Sequence, residues 1–347
     1  MHGAACHLLD VTIRVRPEVQ VTAESLITLS PSSRPRELLV TEEEPSPHSG
    51  DISARYHNGR PGPNPLQAFR SNRLLASQVS SRVPTTPRGA AEVHTVAELV
   101  LEALRSVFIL DPVPHLMRTY VPAADTRLAR SGSNLSAVVR QLLEDSEARS
   151  TLLDLLNSLT EQDITALDVD RSRLNEAMLY VTELIGGVAR EFPARLMSDG
   201  MLRFLAFVAA LLQAPTIEEA VPAEGRPEAL RTLVIEEIEN GLHPSQAARA
   251  VELIKEECLT RQIRTLATTH SPALLSALAA AEHRGVLVCD RDPETGLSRL
   301  RRLVDLPSYA RALAEGSLGE AVSTNRLAGE PAQSFSIEDL ERILAEV

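Results

Sequence analysis

Residues 230–244 read LRTLVIEEIENGLHP. The run LRTLVI ends in two adjacent carboxylates, Glu236 and Glu237, and after a short turn Pro244 stands where a helix can begin. A largely apolar run without regular alternation suits a strand covered on both faces, as in a parallel sheet. In an open α/β sheet the carboxyl ends of the strands form the ligand crevice, which puts both glutamates where a metal ligand and a general base belong. Neighbours on a strand point to opposite faces, so one carboxylate can hold Mg²⁺ through its water shell while the other faces an attacking water. The plain structural alternative is a solvated acidic loop with an Asn-Gly hairpin turn at Asn240 and Gly241. The helical segment that follows speaks against it, because a hairpin needs a second strand.

Working outward, the runs IRTLATT (263–269) and GVLVC (285–289) repeat the parallel-strand character. They alternate with the helical patterns SDGMLRFLAFVAALL (198–212), PSQAARAVELIKEECL (244–259) and SPALLSALAAA (271–281). This is the βαβ signature of a doubly wound, mainly parallel sheet with its core at 198–290. The second run leads into His270, which brings an imidazole to the same rim as the glutamates, where it can donate to a phosphate oxygen. Alone, such a histidine is an ordinary strand-end residue. Ser198 is a natural N-cap, and Gly200 leaves first-turn amides uncovered, making the helix start a ready anion site. Alone, this too is an ordinary cap.

Before this core the chain is more varied. Residues 7–27 alternate as a hairpin, and 28–90 are rich in proline, serine and glycine, which predicts loops and weak strands. Residues 94–106 predict a helix with Val96, Leu99, Leu101 and Leu104 on one side, and VFIL (107–110) predicts a strand. Three helical patterns follow between 133 and 190: SNLSAVVRQLLED, ARSTLLDLLNSL and RLNEAMLYVTELIGG. After 290 a Pro-Glu-Thr-Gly turn leads into an antiparallel edge strand, and Ser336 caps a last helix with Ile337, Leu340, Ile343, Leu344 and Val347 on its apolar side.

The 347 residues suffice for two or three domains, and 44% hydrophobic content can build a sizeable core. A net charge of −12 repels phosphate backbones as a whole, so any nucleic-acid contact is local or indirect. Cys6, Cys258 and Cys289 have neither disulfide-framework nor zinc spacing, which fits a reducing cytoplasm. No apolar stretch approaches the roughly 20 residues that a bilayer needs, so no membrane association is expected.

Taken together, LVIEEIENGLHP, LATTHSP and MSDGMLRFLA resemble the Walker B with D-loop, the switch histidine and the signature motif of ABC-type ATPases, in the SMC-like branch often labelled AAA-type. The resemblance covers about residues 90–320, including SGSNLSAVV near Asn134 and SLGEAV near Gly319. It implies an α/β fold of P-loop NTPase type, with ATP and Mg²⁺ as cofactors. The implied roles fall on Glu236 for Mg²⁺, on Glu237 as the base that activates water, and on His270 at the γ-phosphate. Ser198 and Gly200 would meet the γ-phosphate held by the opposite subunit. Met197 and Met201 stand where the family usually has Leu and Thr.

A P-loop requires a Gly-Lys pair, and the sequence has none; its only lysine, Lys255, lies within the helix after Walker B, as a surface charge. The chain therefore looks like the family without its first strand, loop and helix. The expected organisation is a strand- and loop-rich segment at 1–93, a remnant of ATPase lobe I, then a helical lobe at 94–197. The ATPase core follows at 198–305, and a tail and helix at 306–347. The expected function is an ATP-binding, ATP-hydrolysing head, incomplete and dependent on a P-loop supplied elsewhere, that pairs, as homodimer or heterodimer, with a P-loop-bearing subunit. The alternative is a non-catalytic module that complements a partner ATPase through its signature helix.

Overall fold

The computed structural model describes residues 6–30, 33–42, 50–86, 88–159, 162–213, 232–292, 295–324 and 326–327. The proposed last helix, Ser336 to Val347, and Pro293 and Glu294 of the expected turn lie outside them. The chain divides into two compact units, the first mainly Met1–Ser106 and the second mainly Val107–Arg226 with Leu230–Ala332.

The first unit is a five-stranded antiparallel sheet in chain order: β1 (Cys6–Arg14), β2 (Gln20–Ser30), β3 (Ser33–Thr41), β4 (Asp51–Tyr56) and β5 (Leu66–Arg70). The hairpin expected at 7–27 is β1 and β2, with Leu9 opposite Leu26. The segment expected as loops and weak strands supplies three full members of this sheet. Pro61, Pro63 and Pro65 fall between β4 and β5, while Leu38, Leu39, Ile52, Ala54 and Phe69 are buried. They pack with Leu75, Val79, Val93, Val96 and Ala97 from α1 (Val79–Arg82), the turn before it, and α2 (Arg88–Arg105). Helix α2 begins earlier than its pattern suggested, so its buried stripe is Ala90, Val93, Val96 and Ala97, and Leu104 is exposed. Glu24 is buried inside this unit, and its two carboxylate oxygens accept the N–H groups of Leu75 and Ala76, each at 2.7 Å.

The second unit opens with β6 (Val107–Leu110), α3 (Pro114–Met117), β7 (Val121–Pro122), α4 (Leu135–Leu142) and α5 (Ser146–Leu159). Then come β8 (Ile164–Arg171), β9 (Glu176–Ile185) and β10 (Val188–Pro193). The third expected helix, RLNEAMLYVTELIGG, is corrected here: it holds strand β9, which pairs antiparallel with β7, β8 and β10. Ala177, Met178, Leu179 and Val181 are all buried, so apolar residues cluster in β9 without strict alternation and imitate a helix pattern. Gly186 and Gly187, with φ of 60° and 81°, close a two-residue turn into β10 that a helix could not accommodate.

The remaining elements are α6 (Asp199–Leu212), β11 (Thr232–Ile235), α7 (Pro244–Thr260), β12 (Arg264–Ala267) and α8 (Pro272–Ala277). The described chain ends with β13 (Leu287–Arg291), β14 (Ser298–Arg302), α9 (Tyr309–Ala314) and α10 (Leu318–Ser323). A parallel sheet exists, in the order β12-β11-β6, with Ile235 level with Ala267 on one side and Leu110 on the other. The expected mainly parallel, doubly wound sheet is corrected in extent. Among the described residues the parallel sheet has three strands, and the five- and four-stranded sheets are antiparallel. GVLVC does not join it: β13 pairs antiparallel with β14, as the neighbouring edge-strand expectation required of its partner. Leu110, Leu233 and Ile235 belong to one core with Leu202, Phe204, Leu205 and Phe207 of α6 and Ala250, Leu253 and Ile254 of α7. That core fixes the strand ends on which the polar residues sit.

Candidate site at the ends of the parallel strands

The parallel ladder runs past its last strand residues. Glu236 N–H donates to Leu110 O at 3.1 Å, and Thr268 N–H donates to Ile235 O at 3.0 Å. Ile238 N–H reaches Thr268 O at 3.2 Å, and Glu237 N–H reaches Thr268 Oγ1 at 2.9 Å. Finally, His270 N–H donates to Glu239 Oε1 at 2.7 Å. Glu237 and His270 are thus brought to one rim through bonds that run across a sequence separation of 31 residues, and Glu236 through its bond to Leu110. Thr268 and Glu239 make those bonds. Both stood inside the quoted motifs, yet nothing in their spacing distinguished them from neighbours.

The two adjacent glutamates are held differently. Glu236 Oε1 accepts from Arg130 Nη2 at 2.7 Å. Glu237 has φ of 48°, in the left-handed region, so strand geometry stops at this residue, and its Oε2 accepts from the Asn240 amide within the following turn. That turn is closed by Asn240 N–H on Glu237 O at 2.9 Å and Leu242 N–H on Glu239 O at 3.0 Å. His270 is exposed.

Helix α6 begins as its sequence suggested. Ser198 caps it, accepting Met201 N–H on Oγ at 3.1 Å. Ser198 and Asp199 are exposed, whereas Gly200 is buried. A Cβ placed on Gly200 would lie 2.3 Å from Gly241 O, and Gly241 itself has φ of 78°. The turn after β11 therefore rests on the first turn of α6, which supplies a packing reason within one chain for glycine at both positions. Arg118 holds the approach to this helix. Its Nη1 donates to Ala194 O, Arg195 O and Met197 O at 3.3, 2.8 and 2.7 Å, and its Nη2 pairs with Asp199 Oδ1 at 2.5 Å. Neither Arg118 nor Arg130 carried a sequence signal, since their partners lie far along the chain. Lys255 is on α7 and pairs with Glu282.

The carboxylate of Glu236 already faces a cation, the Arg130 guanidinium, so its donor set fits a positive charge. Among the described residues no group of three His, Cys, Asp or Glu side chains forms a closed metal cage. An open Mg²⁺ site with one or two protein carboxylates, completed by phosphate and water, matches such a donor set.

Carboxylates after the central parallel strand, a histidine after its neighbour and a capped helix start thus share one region of an α/β protein. The chain belongs to the family described as AAA domain, putative AbiEii toxin, Type IV TA system, whose model matches residues 17–276. Membership supports a general ATPase function. Among solved structures the chain is similar to one described as the crystal structure of the SmcHead bound to the C-winged helix domain of ScpA. The identity is 9%, 82% of this chain and 76% of that chain are covered, and the TM-score is 0.36. No curated protein matches the sequence. No helix among the described residues is long and apolar enough to cross a membrane.

Proposed function

We propose that the chain is part of an ATP-binding and ATP-hydrolysing head of the ABC-type, SMC-like kind, dependent on a phosphate-binding loop supplied elsewhere. The observation that carries this reading is the stapling of Glu236, Glu237, Glu239 and His270 onto one rim by Thr268 and the parallel ladder. Glu236 holds Mg²⁺, which supplies charge stabilisation to the phosphate oxygens when bound. Glu237 accepts the proton of an attacking water, and Asn240 fixes the orientation of its carboxylate. His270 donates to the γ-phosphate, its position set by its backbone bond to Glu239. Ser198 and Gly200, at the start of α6, approach the nucleotide held by the opposite subunit, with Ser198 contributing its exposed hydroxyl.

A second reading, a non-catalytic module that complements a partner ATPase, is favoured by one feature: the only lysine, Lys255 on α7, is paired to Glu282. One set of measurements separates the two. The purified chain is expected to hydrolyse ATP negligibly by itself, because clamping of the transferred phosphoryl group supplies most of this catalysis. Robust turnover abolished by Glu237→Gln would overturn partner dependence. Sedimentation with and without Mg·ATP, in the presence of a P-loop-bearing subunit, should show nucleotide-dependent association that Ser198→Arg abolishes. In the enzyme reading Glu237→Gln prolongs that association by blocking hydrolysis; in the module reading it changes nothing.

A further inference from the structure

We propose that Arg130 is a displaceable counter-ion of the strand-end site, seated on Glu236 until a triphosphate draws it away, so that metal and phosphate enter together. This rests on the reading of Glu236 as the metal ligand. The backbone of Arg130 is pinned: its carbonyl accepts Asp111 N–H at 2.9 Å, and Ser131 O accepts Val113 N–H at 2.9 Å. Residues 130 and 131 therefore run beside the segment that leaves β6, at the rim where Glu236 emerges. Only the side chain is free to move.

The pair is open to solvent, with 58% of the Arg130 side chain and 42% of the Glu236 side chain exposed. Exposed pairs gain little over their hydrated ions, so this one is cheap to part. A guanidinium offers a planar fork that matches phosphate oxygens in a bidentate contact. Mg²⁺ takes carboxylate and phosphate oxygens together. Exchanging partners, Arg130 to phosphate and Glu236 to metal, keeps every charge opposed throughout. A divalent ion arriving without phosphate meets a carboxylate already neutralised, and a positive charge beside it. Arg130 thereby supplies a phosphate-seeking cation at the rim, where the chain's only lysine, on α7 and held by Glu282, supplies none.

The test is Mn²⁺ binding to the purified chain, read by electron paramagnetic resonance without nucleotide. Arg130→Ala should bind Mn²⁺ about tenfold more tightly than wild type, the scale expected from removing one like charge near contact distance. The gain should vanish in the double variant Arg130→Ala, Glu236→Gln. In EDTA, a fluorescent ATP analogue should bind Arg130→Ala about tenfold more weakly, with partial rescue by Arg130→Lys, which keeps the charge but loses the fork. Circular dichroism melts check that each variant is folded. Unchanged Mn²⁺ affinity in folded Arg130→Ala overturns the proposal, and so does a gain that persists in the double variant. Failure of the metal-ligand reading looks different: with the ATP analogue and Mn²⁺ both present, Glu236→Gln would bind Mn²⁺ as wild type does.

Discussion

Two carboxylates, one in each unit, show how differently the two sheets use their polar groups. Glu24, among the antiparallel strands, has both oxygens satisfied by the N–H groups of Leu75 and Ala76. Glu239, beyond the end of β11, gives one oxygen to His270 N–H, while its Oε2 is buried and accepts no hydrogen bond. The first is a closed structural staple; the second keeps unused acceptor capacity beside the proposed catalytic residues. The sheets around them follow the same division. In the first unit, strand and helix side chains bury one another. The parallel sheet buries Leu233 and Ile235, yet Ile109 and Leu266, in one cross-strand row with Val234, are 37% and 52% exposed.

The sharpest way to break this contrast is at Glu24. Glu24→Ala strands two buried N–H donors and should cost about 3 kcal/mol in urea unfolding. A cost near zero would remove the staple from its role. Burial also raises the Glu24 pKa above its ordinary 4.5, outweighing the two N–H groups that favour the anion. Folding thus favours protonation of Glu24 relative to the unfolded chain. The stability this proton linkage contributes is full below 4.5 and is lost as pH rises through the raised pKa. The stability difference between wild type and Glu24→Gln should accordingly fall over that interval in pH-dependent unfolding.

At the second unit, Gly200→Ala drives a methyl group into the Gly241 carbonyl and should cost about 2 kcal/mol by overpacking. The rim turn carrying Glu237 and Glu239 should loosen with it, visible as faster amide hydrogen exchange at Asn240 and Leu242. Normal stability and exchange would detach the start of α6 from that turn. The smallest effect belongs to Ser198→Ala, about 1 kcal/mol for a lost cap. If hydrogen exchange at Met201 is unchanged in that variant, the cap bond contributes nothing measurable to α6.

Much of the second unit was legible in the amino-acid order because its signals are local. The Ser198 cap, the proline at the start of α7 and the apolar runs of β6, β11 and β12 each act over a few residues. β9 departs from its local pattern for the opposite reason: Ala177, Met178 and Leu179 are good helix formers, and only pairing with β8, and with β7 at Ala177, makes them a strand. The three later strands of the first sheet were underestimated because proline and glycine in the connections diluted short apolar runs.

The sequence alone determined which residues end the central strand, which serine caps α6, and that no Gly-Lys pair is present. Those are properties of neighbours along the chain. Tertiary structure alone decided that Glu239 holds His270, that Arg130 sits on Glu236, that Arg118 clasps the entry to α6 and that Gly241 presses on Gly200. Each is a contact between segments separated by tens of residues. Hydrogen-bond partners of that kind are chosen by packing of the apolar core beneath them, and periodicity carries no record of the choice.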